Sequence, residues 1–260
     1  MKYAVTTLTA MVLFVSACQS DAMKDPIIVA DIEREFTIDL LEILDMEGNY
    51  LTLQVETIRE ESCANAEIDY RVSQNSRQIG VSLNKIVIPV NCQEGNAPAR
   101  AAINLGKVSL GNFDFSIDLS QTIKNPGTLV NGASSYRLNL KTENGIQILH
   151  RELLKIPEQT IWGWIAYSAT TQQVASEVVG EISKLSSGRN FERGYYGHFT
   201  LSDDQLSIRQ SPEKQLFLPV LINLQREGTD QLQTILQHYR SRYATEQLSI
   251  HLTNWRGQLL

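Results

Sequence analysis

Three kinds of residue in this chain could do chemistry: four histidines, a few closely spaced carboxylates and three cysteines. His150, His198, His238 and His251 never fall at i, i+2 or i+4, so the sequence holds no local pair of metal ligands. They read as isolated surface or half-buried groups, although His198 and His251 sit on expected strands of one region and could meet in the fold. Glu177 and Glu181 share one face of an expected helix. Lys184 accompanies them there, which marks a solvated surface rather than the cleft that paired acid–base carboxylates need. Asp203-Asp204 is a tight-turn signal before it is a metal ligand. Asp45-Met46-Glu47-Gly48-Asn49 lacks the ligand spacing of an EF-hand loop and reads as a hairpin turn. Neither a nucleophile elbow, a P-loop nor a dinucleotide fingerprint occurs. No metal and no cofactor is expected, and the balance tilts away from an enzyme.

The third cysteine concerns address rather than catalysis. Lys2 precedes a mostly apolar stretch from Ala4 to Val15, the layout of a secretory signal peptide. That stretch falls short of the roughly 20 residues that span a bilayer. It ends in Val15-Ser16-Ala17-Cys18, which resembles the lipobox of bacterial lipoproteins: an aliphatic residue, two small ones, then Cys. The resemblance covers residues 1–18 alone. It implies that residues 1–17 are removed, that Cys18 takes the lipid, and that 18–26 form a tether to the membrane. Gln19, where some lipoproteins carry an Asp that retains them in the inner membrane, favours the outer membrane. An ordinary signal peptide with a coincidental Cys is the competing reading.

With Cys18 lipidated, Cys63 and Cys92 remain in an oxidising compartment, where an even count suggests a bridge. The residues between them read as a folded-back pair of strands. Closing a loop of about 30 residues is worth roughly 3–4 kcal/mol on the chain-entropy account.

Two kinds of element must position these residues. From residue 27 to 157 the apolar period is two: Leu51, Leu53 and Val55; Ile68, Tyr70 and Val72; Phe113, Phe115, Ile117 and Leu119; Tyr136, Leu138 and Leu140. Turn signals separate these runs at 46–49, 74–77, 125–127 and 142–145. About eight short strands without a helix predict an antiparallel β-sandwich, immunoglobulin-like in the loose sense. Residues 33–46 could also be helical, since Phe36, Leu40 and Leu44 recur every four; Thr37, Ile38 and the hairpin that follows favour a strand.

From 158 to 260 the grammar changes. A strand at 161–168 precedes a helix with Val174, Val178, Ile182 and Leu185 on one face, stopped by Gly188. A hairpin follows, then a strand at 216–225 whose Pro219 suits an edge. Asp230 and Gln233 resemble a capping box for a second helix carrying Leu232, Ile235, Leu236, Tyr239 and Tyr243 on one face. A last strand ends near Trp255. This order approaches the split β-α-β pattern of a ferredoxin-like sandwich, so 158–260 is expected to be an α+β domain.

Trp162 and Trp164 project from one face of the first strand of that domain. Core packing beneath the two helices is the simpler reading of the pair. If instead Ile161, Ile165 and Tyr167 face the helices, with Gly163 letting a helix come close, both tryptophans point toward the domain junction or a partner. Cementing the junction is the favoured role.

The formal net charge is −6, and removing residues 1–17 takes away one Lys and no acid, leaving −7. An acidic chain argues against nucleic acid, which calls for basic clusters. Residues 18–157 hold 19 acids and 13 bases while 158–260 hold 10 and 9, an asymmetry that supports a boundary near 157. Together these features predict a lipid-anchored envelope protein with a non-catalytic binding or assembly role and a protein or glycan partner. The alternative is an envelope hydrolase acting on glycans, with carboxylates gathered near the domain junction.

Overall fold

A computed structural model describes residues 33–120, 122–203, 205–212 and 215–260, all belonging to one compact unit. Cys18, the signal peptide and the tether lie outside the described residues. The described residues are mainly β, with one large curled sheet, two small sheets and two helices.

The large sheet draws on β1 (Phe36–Ile43), β2 (Tyr50–Cys63), β3 (Glu67–Gln74), β4 (Gln78–Val87), β5 (Glu94–Asn104), β6 (Gly111–Leu119), β7 (Ile123–Asn131), β8 (Ser135–Leu140), β9 (Ile146–Ile148) and β10 (Glu152–Leu154). These are hydrogen-bonded in the order β10-β8-β7-β6-β4-β3-β5-β2-β1-β9, one continuous sheet rather than two separate ones. The period-two residues do what their spacing requires. Leu51, Leu53, Val55, Phe113, Phe115, Ile117, Tyr136 and Leu138 all enter a single core on the inner face.

The last stretch of this region draws the two margins of the sheet together. Its first half, β9, pairs parallel with β1, and Leu149 N–H continues the ladder onto Ile38 O. Its second half, β10, pairs antiparallel with β8, and Arg151 O accepts from Leu138 N–H.

The turn expected at 125–127 is not one. Asn125, Pro126 and Gly127 lie inside β7, whose pairing with β6 already begins at Ile123 opposite Leu119, and Ser120 just beyond β6 takes a positive φ of 46°. The Asn125 side chain is consumed elsewhere: it donates to Asn144 O and accepts from Thr142 and the Asn144 N–H, fastening the turn before β9. Pro126 precedes the β8 pairing, which starts at Gly127, so its missing N–H leaves no gap in that ladder.

Beyond Pro157 the order is strand, helix, small meander, strand, helix, strand. β11 (Thr160–Tyr167) leads to α1 (Gln172–Ser183), then to β12 (Gly194–Tyr195), β13 (Phe199–Leu201) and β14 (Leu206–Ile208). β15 (Leu216–Asn223), α2 (Gly228–Arg242) and β16 (Leu248–Asn254) follow. β11 lies between β15 and β16, antiparallel to both, so β15-α2-β16 is a split β-α-β unit around it. β15 is an edge strand, which accommodates Pro219. β12–β14 form a separate three-stranded sheet.

Both helices lay their apolar stripes on one face of β15-β11-β16. Val178, Ile182, Leu232, Leu236 and Tyr239 join Ile161 and Ile165 there. α1 ends at Ser183, ahead of Gly188. α2 begins at Gly228 without a side-chain cap, so Asp230 stands in its first turn, where a negative charge suits the helix dipole, rather than in a capping box. Among the described residues no helix is long and apolar enough to cross a membrane.

The disulfide Cys63–Cys92 is present, with Cα atoms 5.5 Å apart. Cys63 is fully buried at the end of β2 and Cys92 is exposed, while β3 and β4 form the folded-back pair between them.

Candidate functional site

β1 is covered on both sides, and this organises the junction. Ile38 and Leu40 face the core of the large sheet. Asp39 and Leu41 project the other way, under the meander of β12–β14, where Gly197 rests on Leu41. A Cβ at Gly197 would stand 2.8 Å from Leu41 Cδ1, and its φ of +82° favours glycine independently.

Asp39, buried in this layer, gathers partners distant in sequence. Its Oδ2 accepts from Tyr195 OH at 2.6 Å, and its Oδ1 lies 3.0 Å from His150 Nδ1 and accepts from the Leu40 N–H at 2.9 Å. The His150 and Tyr195 rings stack with centroids 3.7 Å apart. Arg209 donates to Tyr195 OH at 3.3 Å. Burial, then the bond to Asp39, push the Tyr195 phenol well above its ordinary range.

Glu42, at the end of the same strand, accepts from Tyr136 OH at 3.0 Å across the junction of β1 and β8. Burial pushes its carboxyl upward, an effect that Tyr136, Asn49 and the charge of Lys155 reduce. Its main-chain oxygen lies 2.8 Å from His198 Nε2, and burial holds that imidazole below the usual histidine value.

The tryptophans stand on the face of β11 turned away from the helices. Trp162 is buried in a third core with Leu154 and Ile156 from the end of the first region and Tyr196 and Phe199 from the meander. Trp164 is half-buried. Its ring stacks on His251, its cross-strand partner, at 4.0 Å, and its Nε1 donates to Gln210 O at 3.0 Å. Gly163 between them is explained by a strand, not by a helix. A Cβ there would lie 2.0 Å from His251 O, with φ at +147°.

Two hollows open beside this junction. One, of about 600 Å³, is lined by Trp162, Trp164, His198, Arg209, His251 and Gln54 among others. It brings together the two histidines that the sequence left free to meet. The other, of about 410 Å³, is lined by His150, Tyr195, Glu152, Glu192, Arg151 and Arg193. Its Glu152 is held below the ordinary carboxylate range by Arg137. Glu177 and Glu181 stay on the helix surface, where Glu181 accepts from Tyr239 OH. Asp203 pairs with Arg193 in the turn between β13 and β14.

The first hollow offers tryptophan rings, two imidazoles, a guanidinium and an amide, a set suited to gripping a flat or hydroxyl-rich ligand. Asp39 spends both oxygens on protein partners, whereas Glu42 accepts from Tyr136 through one oxygen and leaves its buried Oε2 without a partner among the described residues; neither carboxylate lines either hollow. Neither a family model, nor a curated protein, nor a solved structure matches this chain.

Sequence reasoning missed Asp39, Glu42 and Arg209, and it read His150 as an isolated histidine rather than as the partner of Asp39 and Tyr195. One signal was available: Asp39 and Glu42 interrupt the apolar run Ile38–Ile43 on opposite faces, so no single wet face accounts for both.

Proposed function

We propose that this chain is a lipid-anchored protein of the cell envelope, favoured for the outer membrane, whose role is binding or assembly rather than catalysis. On this reading Cys18 carries the lipid, residues 27–157 form a sandwich-type domain, and 158–260 form an α+β domain set against it. The hollow floored by Trp164 and His251 receives a protein or glycan partner, and the acidic balance turns nucleic acid away. The observation that carries this reading is the contrast at β11. Trp162 is spent in the junction core, while Trp164, two residues on, leaves part of its ring in an open hollow beside Arg209.

Titrating the protein with soluble envelope glycan fragments, and recovering partners from native membranes, tests it. Trp164→Ala and Arg209→Ala should remove binding, and Trp164→Ala should lower stability by no more than about 1 kcal/mol, the worth of one hydrogen bond. A Trp164→Ala protein that binds as the parent does would end this assignment of the hollow.

One observation favours a second reading. His150, seated on the buried Asp39, shares the smaller hollow with two glutamates, as a glycan hydrolase with a junction carboxylate site would require. Turnover of glycan substrates that is lost in Glu192→Gln would establish it. The depressed Glu152 makes a poor general acid, which places this reading second.

A further inference from the structure

One run of apolar residues stands at the surface. Ile86, Val87 and Ile88 are each more than a third exposed, and Val90 is fully so. Single exposed apolar residues are ordinary on a protein surface, whereas a contiguous run marks a contact.

This run is not a slack loop. β4 holds its beginning, with Val87 opposite Glu67 on β3. Just beyond Val90, the Cys63–Cys92 bond and three hydrogen bonds clip the chain to the turn at 64–66. Ala64 N–H donates to Gln93 O at 2.9 Å, Asn65 Nδ2 to Asn91 O at 3.1 Å, and Gln93 N–H to Asn65 Oδ1 at 2.8 Å. A tip fixed at both ends loses little freedom on making contact.

Its position names what it touches. Ile86 lines a surface hollow with Glu33, Arg34, Glu35 and Phe36, the first described residues of the chain. Only residues 19–32 separate that point from Cys18, a span of at most about 50 Å when fully extended. The tip and the first described residues therefore share one rim of the curled sheet, where β4 ends and β1 begins.

We propose that Ile86–Val90 is a second membrane contact, entering the headgroup–acyl boundary of the bilayer that holds the lipid on Cys18. This rests on the anchored reading above. A bilayer fits better than a protein because the tip is small. Five residues fall short of the roughly 800 Å² per side of a standard protein interface, whereas a bilayer demands no complementary shape.

The test uses the mature protein in phosphatidylcholine vesicles whose acyl chains carry bromine, a quencher of indole emission. Val90→Trp places a reporter at the tip. Leu110→Trp places one at an equally apolar, exposed position beyond the opposite end of β5. The emission added at position 90 should be largely quenched, and that added at 110 should not. The mass of the N-terminal peptide reads lipidation of Cys18 separately. Quenching at 90 alone supports the tip contact whether or not that peptide carries lipid. Absence of quenching at 90, or equal quenching at both positions, overturns it. Vesicle-bound protein with an unquenched position 90 leaves a protein partner as the occupant.

Discussion

The two faces of β11 bury similar side chains by different means. Toward the helices, Ile161 and Ile165 meet α1 and α2 in a core that is apolar throughout. Toward the large sheet, Trp162 meets Leu154, Ile156, Tyr196 and Phe199, and the neighbouring layer is threaded with the polar contacts of Asp39, Glu42, His150 and His198. A helix satisfies its own backbone and can present a purely apolar stripe. A short meander cannot, and the one over β1 fastens itself through side chains. The first face is therefore specified by local periodicity, the second by pairs of residues far apart in the chain.

The sharpest way to break this contrast is to empty the junction core. Trp162→Ala should lower stability by about 3–5 kcal/mol, at least matching Leu236→Ala under the helices at about 2–5 kcal/mol. Denaturant melts of both variants decide it, and a near-silent Trp162→Ala would mean that the junction is not a true core. A smaller loss is expected from Asp39→Ala, which strands Tyr195 OH and His150 Nδ1. About 1–3 kcal/mol should go, with chemical-shift changes centred on the meander and absent from α1 and α2.

The smallest effect is a dependence on pH confined to the junction. Burial lowers the His198 pKa in the fold, so the unfolded chain takes up the proton first. Its contribution to stability is complete above the unfolded value of about 6.5 and drains away as pH falls through it. Glu42, raised by burial, acts in the opposite sense, and its unfavourable contribution sets in as pH rises above the ordinary glutamate value. Melting between pH 7 and 5 should show a decline that His198→Gln flattens. An unchanged slope in that variant would remove His198 as its source.

How much of this was legible follows from the same contrast. Both apolar faces of the helices, the parity of Ile161 and Ile165, and the strands of the large sheet follow from periods of two and 3.6, and the paired cysteines from their even count. β1 hovered between strand and helix because both its faces are covered, which erases the alternation that a one-sided strand displays. The stretch Asn125-Pro126-Gly127 looked like a turn because its composition is that of one. Its use inside β7 depends on a turn at 142–144 that no local window contains. The polar junction was hidden most completely: Tyr136 lies 94 residues from Glu42, and Tyr195 lies 156 from Asp39.

The stretch at 146–154, which pairs with the first strand and with β8 in turn, also sets a timetable. A chain made from its N-terminus delivers β1 early, yet the free edge of β1 waits for β9, more than a hundred residues behind. Until then a strand rich in Ile and Leu offers unpaired N–H and C=O groups to any neighbour, the condition under which chains pair with the wrong partner. Pairings this distant are slow to form. The interval between the arrival of β1 and the arrival of β9 is therefore the period in which this protein is most exposed to aggregation and most in need of a chaperone.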